Sequence, residues 1–245
     1  MKISFDSKNY CDVMFKDQKK RDLLLILPGG YYQYTSPREA VPVANTFMDD
    51  GLHAAIFYYR EDMLLYDGLM DEALSLLKQL NELDQVNHVH VIGFSAGGHY
   101  AAMMMTKFNQ YIERGLLIYP AISVFPKNTP KEAFSVLLGE NITDEGIKKI
   151  SPDLQVNKHT PPTFLMHSVD DQVVSVDNSI KMLNALKKHH VYVEAHFYPT
   201  GDHGISINTK EVVYEKFDPE QFMKEFGYIA SWVDLAKNFI KREIK

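Results

Sequence analysis

From Leu23 onward the chain alternates short apolar runs with longer stretches of helical periodicity, and that alternation decides the class of fold. Leu23-Leu24-Leu25-Ile26-Leu27 is continuously apolar and is stopped by Pro28-Gly29-Gly30, as befits a strand covered on both faces. His53 to Tyr59, Val89 to Gly93, Leu116 to Tyr119, Thr163 to His167 and Val191 to Tyr198 read as further strands. Ser36-Pro37-Arg38-Glu39 offers a hydroxyl cap, a proline in the first turn and a glutamate three after the cap. With Gly51 as the stop, a helix is predicted over Pro37 to Asp49. Helices follow over Asp67 to Leu83, with apolar residues at Leu69, Ala73, Leu76, Leu77 and Leu80, and over Ala96 to Lys107, Asp177 to Lys188 and Pro219 to Lys241. Such alternation implies right-handed crossovers and an α/β fold: a mostly parallel sheet with helices on both faces.

Ala121 to Pro162 breaks the rhythm with five prolines and weak periodicity. A connection that long reads as an insertion, a small lid or a wall beside a site. The 245 residues otherwise form one domain, 1–245, since a single α/β domain routinely reaches this size. The formal charge of -6 has the wrong sign for a protein that grips phosphate backbones, so nucleic acid is not an expected partner. Met1 to Phe15 places Asp6, Lys8 and Asp12 among its apolar residues and lacks the core of a signal peptide. The tight apolar run Leu23 to Leu27, like the others in the chain, is far short of the ~20 residues that cross a bilayer. No membrane association is expected, and the location expected is cytoplasmic. The single cysteine, Cys11, has no partner for an internal disulfide.

Gly93-Phe94-Ser95-Ala96-Gly97 fits G-x-S-x-G and falls between a predicted strand and a predicted helix. There a sharp turn lifts a serine hydroxyl above the sheet, and small neighbours are needed where backbones approach. Ser95 is therefore the candidate nucleophile. A hydroxyl needs a base to take its proton and a carboxylate to orient that base. In sheets of this type acid and then base follow the nucleophile along the chain, which sets aside His53, His88 and His90. His203, in the loop Gly201-Asp202-His203-Gly204 just after a strand, is the candidate base. His99, early in the helix after Ser95, reads as a residue that supports the site from behind or as a packing residue. Asp170 and Asp171 both follow the strand Thr163 to His167, and the D-x-x-V spacing to Val174 favours Asp171. The amide of Ala96 and the glycine turn after Leu27 are candidate donors to a developing oxyanion.

Several segments together resemble a known group. They are Leu27-Pro28-Gly29-Gly30-Tyr31-Tyr32, Glu39 with Pro42-Val43-Ala44, Tyr59-Arg60, Gly93 to His99, Ser151-Pro152-Asp153-Leu154-Gln155-Val156, Thr160 to Phe164 and Gly201-Asp202-His203-Gly204. The set, spread over about residues 20 to 240, is similar to the small α/β-hydrolase esterases of the acetylxylan-esterase-like group. The resemblance implies an α/β-hydrolase fold without a large cap, with Ser95 as nucleophile, Asp171 as acid and His203 as base. It implies oxyanion donors at Ala96 and at Gly30 or Tyr31. It also implies a small-molecule ester substrate, often an acetylated sugar, with no metal or cofactor. Two departures stand out: Tyr31 occupies the place of a third glycine, and Ser175 stands where relatives carry proline. Tyr31, Tyr32, Tyr34 and Phe125 are candidates to line the pocket. The strand Val191 to Tyr198 and the terminal helix are where a homodimer would form.

Overall fold

A computed structural model describes residues 1–123, 131–140 and 142–244. Its strands are β1 (Lys2–Ser4), β2 (Tyr10–Met14), β3 (Arg21–Leu27), β4 (His53–Tyr58), β5 (Val86–Phe94), β6 (Arg114–Ile118), β7 (Thr163–Ser168) and β8 (Val193–Tyr198). They form one sheet in the order β1-β2-β4-β3-β5-β6-β7-β8. β3 to β8 run parallel, and β2 pairs antiparallel with both β1 and β4.

The β3 run shows why the sheet is central. Leu23, Leu25 and Leu27 enter one apolar layer, with α2 (Tyr66–Asn81), α3 (Ala96–Lys107) and α6 (Asp177–Lys188). Leu24 and Ile26 enter the other, with α1 (Val41–Asp49) and α8 (Ser231–Lys241), whose Trp232 and Phe239 are fully buried. A strand covered on both faces has no polar face to offer, hence the unbroken apolar run.

Two expected helices need correction, and two strands lie outside the sequence pattern. The helix expected over Pro37 to Asp49 is split into a 3-10 turn, Pro37–Glu39, and α1, with Ala40 between them at φ -107, ψ -101. A continuous helix would have put Pro42 in its interior, where the ring meets the carbonyl one turn back. The break moves Pro42 into a first turn, where its missing N–H is harmless. Ser36 makes no side-chain cap, and Glu39 is buried rather than closing a capping box. The helix expected over Pro219 to Lys241 is likewise interrupted, as α7 (Pro219–Phe226), a 3-10 turn at Gly227–Ala230, and α8. Here tertiary packing intervenes, since the Trp232 indole donates to the Ser206 carbonyl at 3.1 Å and α8 turns its apolar face to the sheet. β1 and β2 were not foreseen. β1 is a three-residue edge strand, and β2 beside it fully buries only Cys11 and Val13, with Asp12 interrupting its apolar signal.

The insertion is partly helical, with α4 (Lys131–Leu138) and α5 (Asp144–Lys149). Leu137, Ile150 and Val156 join the apolar layer that contains α3. Phe125, Pro126 and Pro130 lie outside the described residues. Among the described residues no helix is long and apolar enough to cross a membrane.

Gly97 shows how tightly α3 is pressed onto the sheet. A Cβ there would sit 2.0 Å from the Leu27 carbonyl oxygen and 2.5 Å from that of Pro28, both backbone atoms with little room to retreat. Gly97→Ala is expected to lose about 1–3 kcal/mol or more. Thermal unfolding followed by circular dichroism should show a midpoint lower by roughly 2–4 °C per kcal/mol. An unchanged midpoint would mean that helix and strand can separate freely.

Candidate active site

β5 ends at Phe94 and α3 begins at Ala96, leaving Ser95 alone in the turn at φ 52, ψ -116. This left-handed conformation is unfavourable for a residue with a Cβ and survives only where its surroundings dictate it. Ser95 N donates to the Ile118 carbonyl at 3.0 Å, and the Ser95 carbonyl accepts from His99 N at 3.0 Å and Ala121 N at 3.2 Å. With the backbone pinned on both sides, the side chain projects from the carboxyl edge of the sheet.

Two loops at that edge bring their residues to Ser95. His203 Nε2 lies 2.9 Å from Ser95 Oγ, and His203 Nδ1 lies 2.7 Å from Asp171 Oδ2. The ring thus bridges hydroxyl and carboxylate, 108 residues from one and 32 from the other. Of the two aspartates, Asp171 is buried, whereas Asp170 is exposed. Asp170 Oδ1 accepts from Gly201 N at 2.9 Å and so fastens the His203 loop without touching the ring.

Asp171 is saturated with donors. Its Oδ1 accepts from Val173 N and Val174 N, each at 2.9 Å, which explains the D-x-x-V spacing. Its Oδ2 also meets His167 Nε2 at 3.3 Å. That nitrogen faces the Val174 carbonyl too, at 2.9 Å, while His167 Nδ1 lies 2.8 Å from the Ser179 hydroxyl. Facing two acceptors, Nε2 bears the ring proton, and Nδ1 accepts from Ser179. Burial pushes the Asp171 carboxyl upward, but the hydrogen bonds from His167 and His203 outweigh it and hold the group well below the usual carboxylate range. It stays ionised beside His203 and able to stabilise an imidazolium.

The turn after β3 reaches Ser95 from the other side. A Cβ on Gly29 would come within 3.1 Å of the Ser95 Cβ, so glycine is what lets this backbone approach. Tyr31 and Tyr32 are both left-handed, at φ 56 and φ 60, and the Gly30 carbonyl closes the turn by accepting from Gln33 N at 2.8 Å. The Gly29 amide is occupied, donating to Glu39 Oε2 at 2.7 Å. Tyr31 and Tyr34 are exposed on the turn. Tyr32 is not free to line a pocket. It is buried, edge-on to Tyr59 and His99, with its hydroxyl 2.6 Å from His99 Nδ1. His99 Nε2 lies 2.6 Å from the Ile150 carbonyl, so this ring ties the turn to the end of α5. Burial, opposed in part by that bond, pushes the His99 pKa down to about 4.

Ser95, His203 and Asp171 therefore form one hydrogen-bonded line in which a hydroxyl can pass its proton to an imidazole backed by a carboxylate. Among the described residues no group of three or more His, Cys, Asp or Glu could hold a metal ion. His167, Tyr119 and Glu39 were missed as residues of this site. Glu39 resembled a capping residue, and nothing local to Tyr119 marks it.

Residues 61–227 match the prolyl oligopeptidase family. The chain belongs to that family. The prolyl oligopeptidase match takes in Ser95, Asp171 and His203 and leaves the Gly29 to Glu39 segment outside. An endo-1,4-β-xylanase B from Butyrivibrio fibrisolvens is 27% identical over 220 residues, 81% of this chain and 34% of that protein. The acetylxylan esterase of Xylanibacter ruminicola is 26% identical over 197 residues, 74% of this chain and 40% of its own length. The chain thus spans between a third and two fifths of the length of these curated relatives. The crystal structure of an acetyl ester-xyloside bifunctional hydrolase from Caldicellulosiruptor lactoaceticus superposes with TM-score 0.76 at 27% identity, over 92% of this chain and 89% of that one. Family membership, sheet order and this superposition make the fold an α/β-hydrolase fold.

Two outcomes follow from the site's geometry. Asp171→Asn should slow fluorophosphonate labelling of Ser95 by about 10²-fold or more, because an amide disfavours the required tautomer, whereas Asp170→Asn should stay within a few-fold of the parent. Equal effects would remove the distinction drawn between the two. The second outcome concerns acid. An unfolded histidine protonates near 6.5 but folded His99 only at about 4, so the unfolded chain gains protons first and stability falls as pH drops through that window. The loss should reach about 3 kcal/mol. Denaturant unfolding at pH 7 and pH 4.5 should show a smaller loss in His99→Gln than in the parent, and equal losses would contradict this account.

Proposed function

We propose that this chain is a serine esterase acting on short acyl esters, acetyl esters of sugars foremost. The observation that carries the reading is the line Ser95 Oγ, His203 Nε2 at 2.9 Å, and His203 Nδ1 to Asp171 Oδ2 at 2.7 Å. In this reading Ser95 Oγ bonds to the ester carbonyl carbon while His203 takes the hydroxyl proton. The carbon–oxygen bond to the leaving alcohol then breaks and the alcohol receives that proton. Water, deprotonated by the same ring, cleaves the acyl-serine.

The developing oxyanion is assigned to the Ala96 amide at the start of α3 and to Gly30 or Tyr31 in the turn. Since the Gly29 amide is engaged by Glu39, the next two amides are the ones left to serve. Acetyl and sugar preference rests on the similarity to an acetylxylan esterase and to an acetyl ester-xyloside hydrolase. The chemistry draws on side chains and water, without metal or cofactor.

A second reading, hydrolysis of a peptide bond, is favoured by the prolyl oligopeptidase match and uses the same three side chains. A panel separates the two: short-chain nitrophenyl esters, acetylated xylo-oligosaccharides and aminoacyl-proline amides, each tested on the parent and on Ser95→Ala. Esters of acetate should be turned over fastest, and Ser95→Ala should lose at least ~10³-fold. An amide outrunning every acetyl ester would transfer the assignment to peptidase, and activity unchanged in Ser95→Ala would reject both readings.

A further inference from the structure

Glu39 lies in the middle of this site, ten residues after Gly29, yet takes no part in the proton transfer. It is 3% exposed. Its Oε2 accepts from the Gly29 amide at 2.7 Å, and its Oε1 accepts from the Tyr119 hydroxyl, also at 2.7 Å. The Tyr119 hydroxyl accepts in turn from Ser206 N at 3.0 Å, so its one proton goes to Glu39. The Tyr119 ring stands against the His203 ring with centroids 5.1 Å apart at 65°. A second tie joins the same segments, the Ser206 hydroxyl donating to the Arg38 carbonyl at 2.8 Å.

Both carboxylate oxygens therefore face donors, the arrangement an ionised carboxylate wants and an amide cannot reproduce, because its NH₂ would confront one of them. Burying such a charge is costly unless it is satisfied, and here both oxygens are satisfied, so the carboxylate is able to stay charged within the site. The other titratable or charged groups facing Glu39 are Arg38, Tyr59, Tyr214 and His203. His203 meets Asp171 on its far nitrogen, and next to it in the chain Asp202 pairs with Lys216 at 3.4 Å.

We propose that Glu39 is a positioning residue for this site. It fixes the Gly29–Tyr34 turn against Ser95, holds through Tyr119 the ring that packs on His203, and presents a second buried negative charge to the imidazole. The inference rests on the serine-hydrolase reading for its effect on rate, and its electrostatic part rests on the Glu39–Tyr119–His203 arrangement together with the attraction between the carboxylate and the ring. Burial raises the Glu39 carboxyl above the usual range, and the Tyr119 and Gly29 hydrogen bonds oppose that rise.

The test compares the parent with Glu39→Gln, Glu39→Asp and Tyr119→Phe by two measurements. In the first, the His203 ring is titrated by nitrogen NMR, its signals assigned by their loss in His203→Gln. Glu39→Gln should titrate about half a pH unit or more lower, since one nearby negative charge has gone. Glu39→Asp and Tyr119→Phe, which keep the charge, should stay close to the parent. In the second, kcat and KM are measured on a nitrophenyl acetate. All three variants should lose about 10- to 100-fold in kcat, with KM changed far less, because the turn and the ring are misplaced rather than the binding surface removed. Folded Glu39→Gln with parental titration and parental kcat overturns the proposal. If Glu39→Gln does not fold, Glu39→Asp with parental kcat overturns it instead. A parent that cleaves no ester would sink the esterase reading, whereas the titration would still decide whether Glu39 acts on His203.

Discussion

A left-handed serine between a strand and a helix is what the geometry of this molecule is organised around. An L-residue at φ 52 is uphill by itself, and here the neighbouring backbone removes the alternatives. Ser95 N is committed to Ile118 and its carbonyl to His99 and Ala121, while Gly97 lets α3 close to the Leu27 and Pro28 carbonyls. The same tight turn lifts the hydroxyl above the sheet edge and aims the first amides of α3 at the space beside it. The strain at Ser95 and the placement of its hydroxyl thus share one cause, the close approach of β3, β5 and α3.

Electrostatics then sorts the polar residues gathered at that edge. Asp171 is surrounded by donors and stays charged although buried, whereas burial keeps His99 neutral. Two histidines near the serine therefore serve opposite ends. His203 sits between an acceptor and a hydroxyl and can gain a proton, while His99 serves as a hydrogen-bonding strut between Tyr32 and Ile150. The insertion is connected to the turn beside Ser95 through that strut.

Much of this was legible in the order of residues. The run Leu23 to Leu27 announces a strand with two covered faces, and Ala96 to Lys107 and Asp177 to Lys188 end where their periodicity ends. G-x-S-x-G between strand and helix, with two aspartates and a glycine-flanked histidine following in order, pointed to the three side chains that now lie in one line. Less legible was any element whose pattern is half suppressed. β2 is fully buried on one face only, and the continuous helices inferred through Pro42 and through Gly227 ignored, respectively, a proline ring and a packing demand from Trp232.

Glu39 marks the boundary between the two kinds of information. Local sequence shows a glutamate three residues after a serine and suggests a cap, because periodicity and capping are rules about neighbours along the chain. Its partners Gly29, Tyr119 and, through Tyr119, Ser206 lie 10, 80 and as many as 167 residues away. The sequence by itself determined the alternation, the parallel sheet and the residues able to do the chemistry, since those follow from side-chain type and spacing. Which aspartate met the imidazole, which amide the buried Glu39 carboxylate engaged and where that carboxylate went were decided only by the tertiary structure, because those contacts depend on the angle at which distant segments cross the sheet edge.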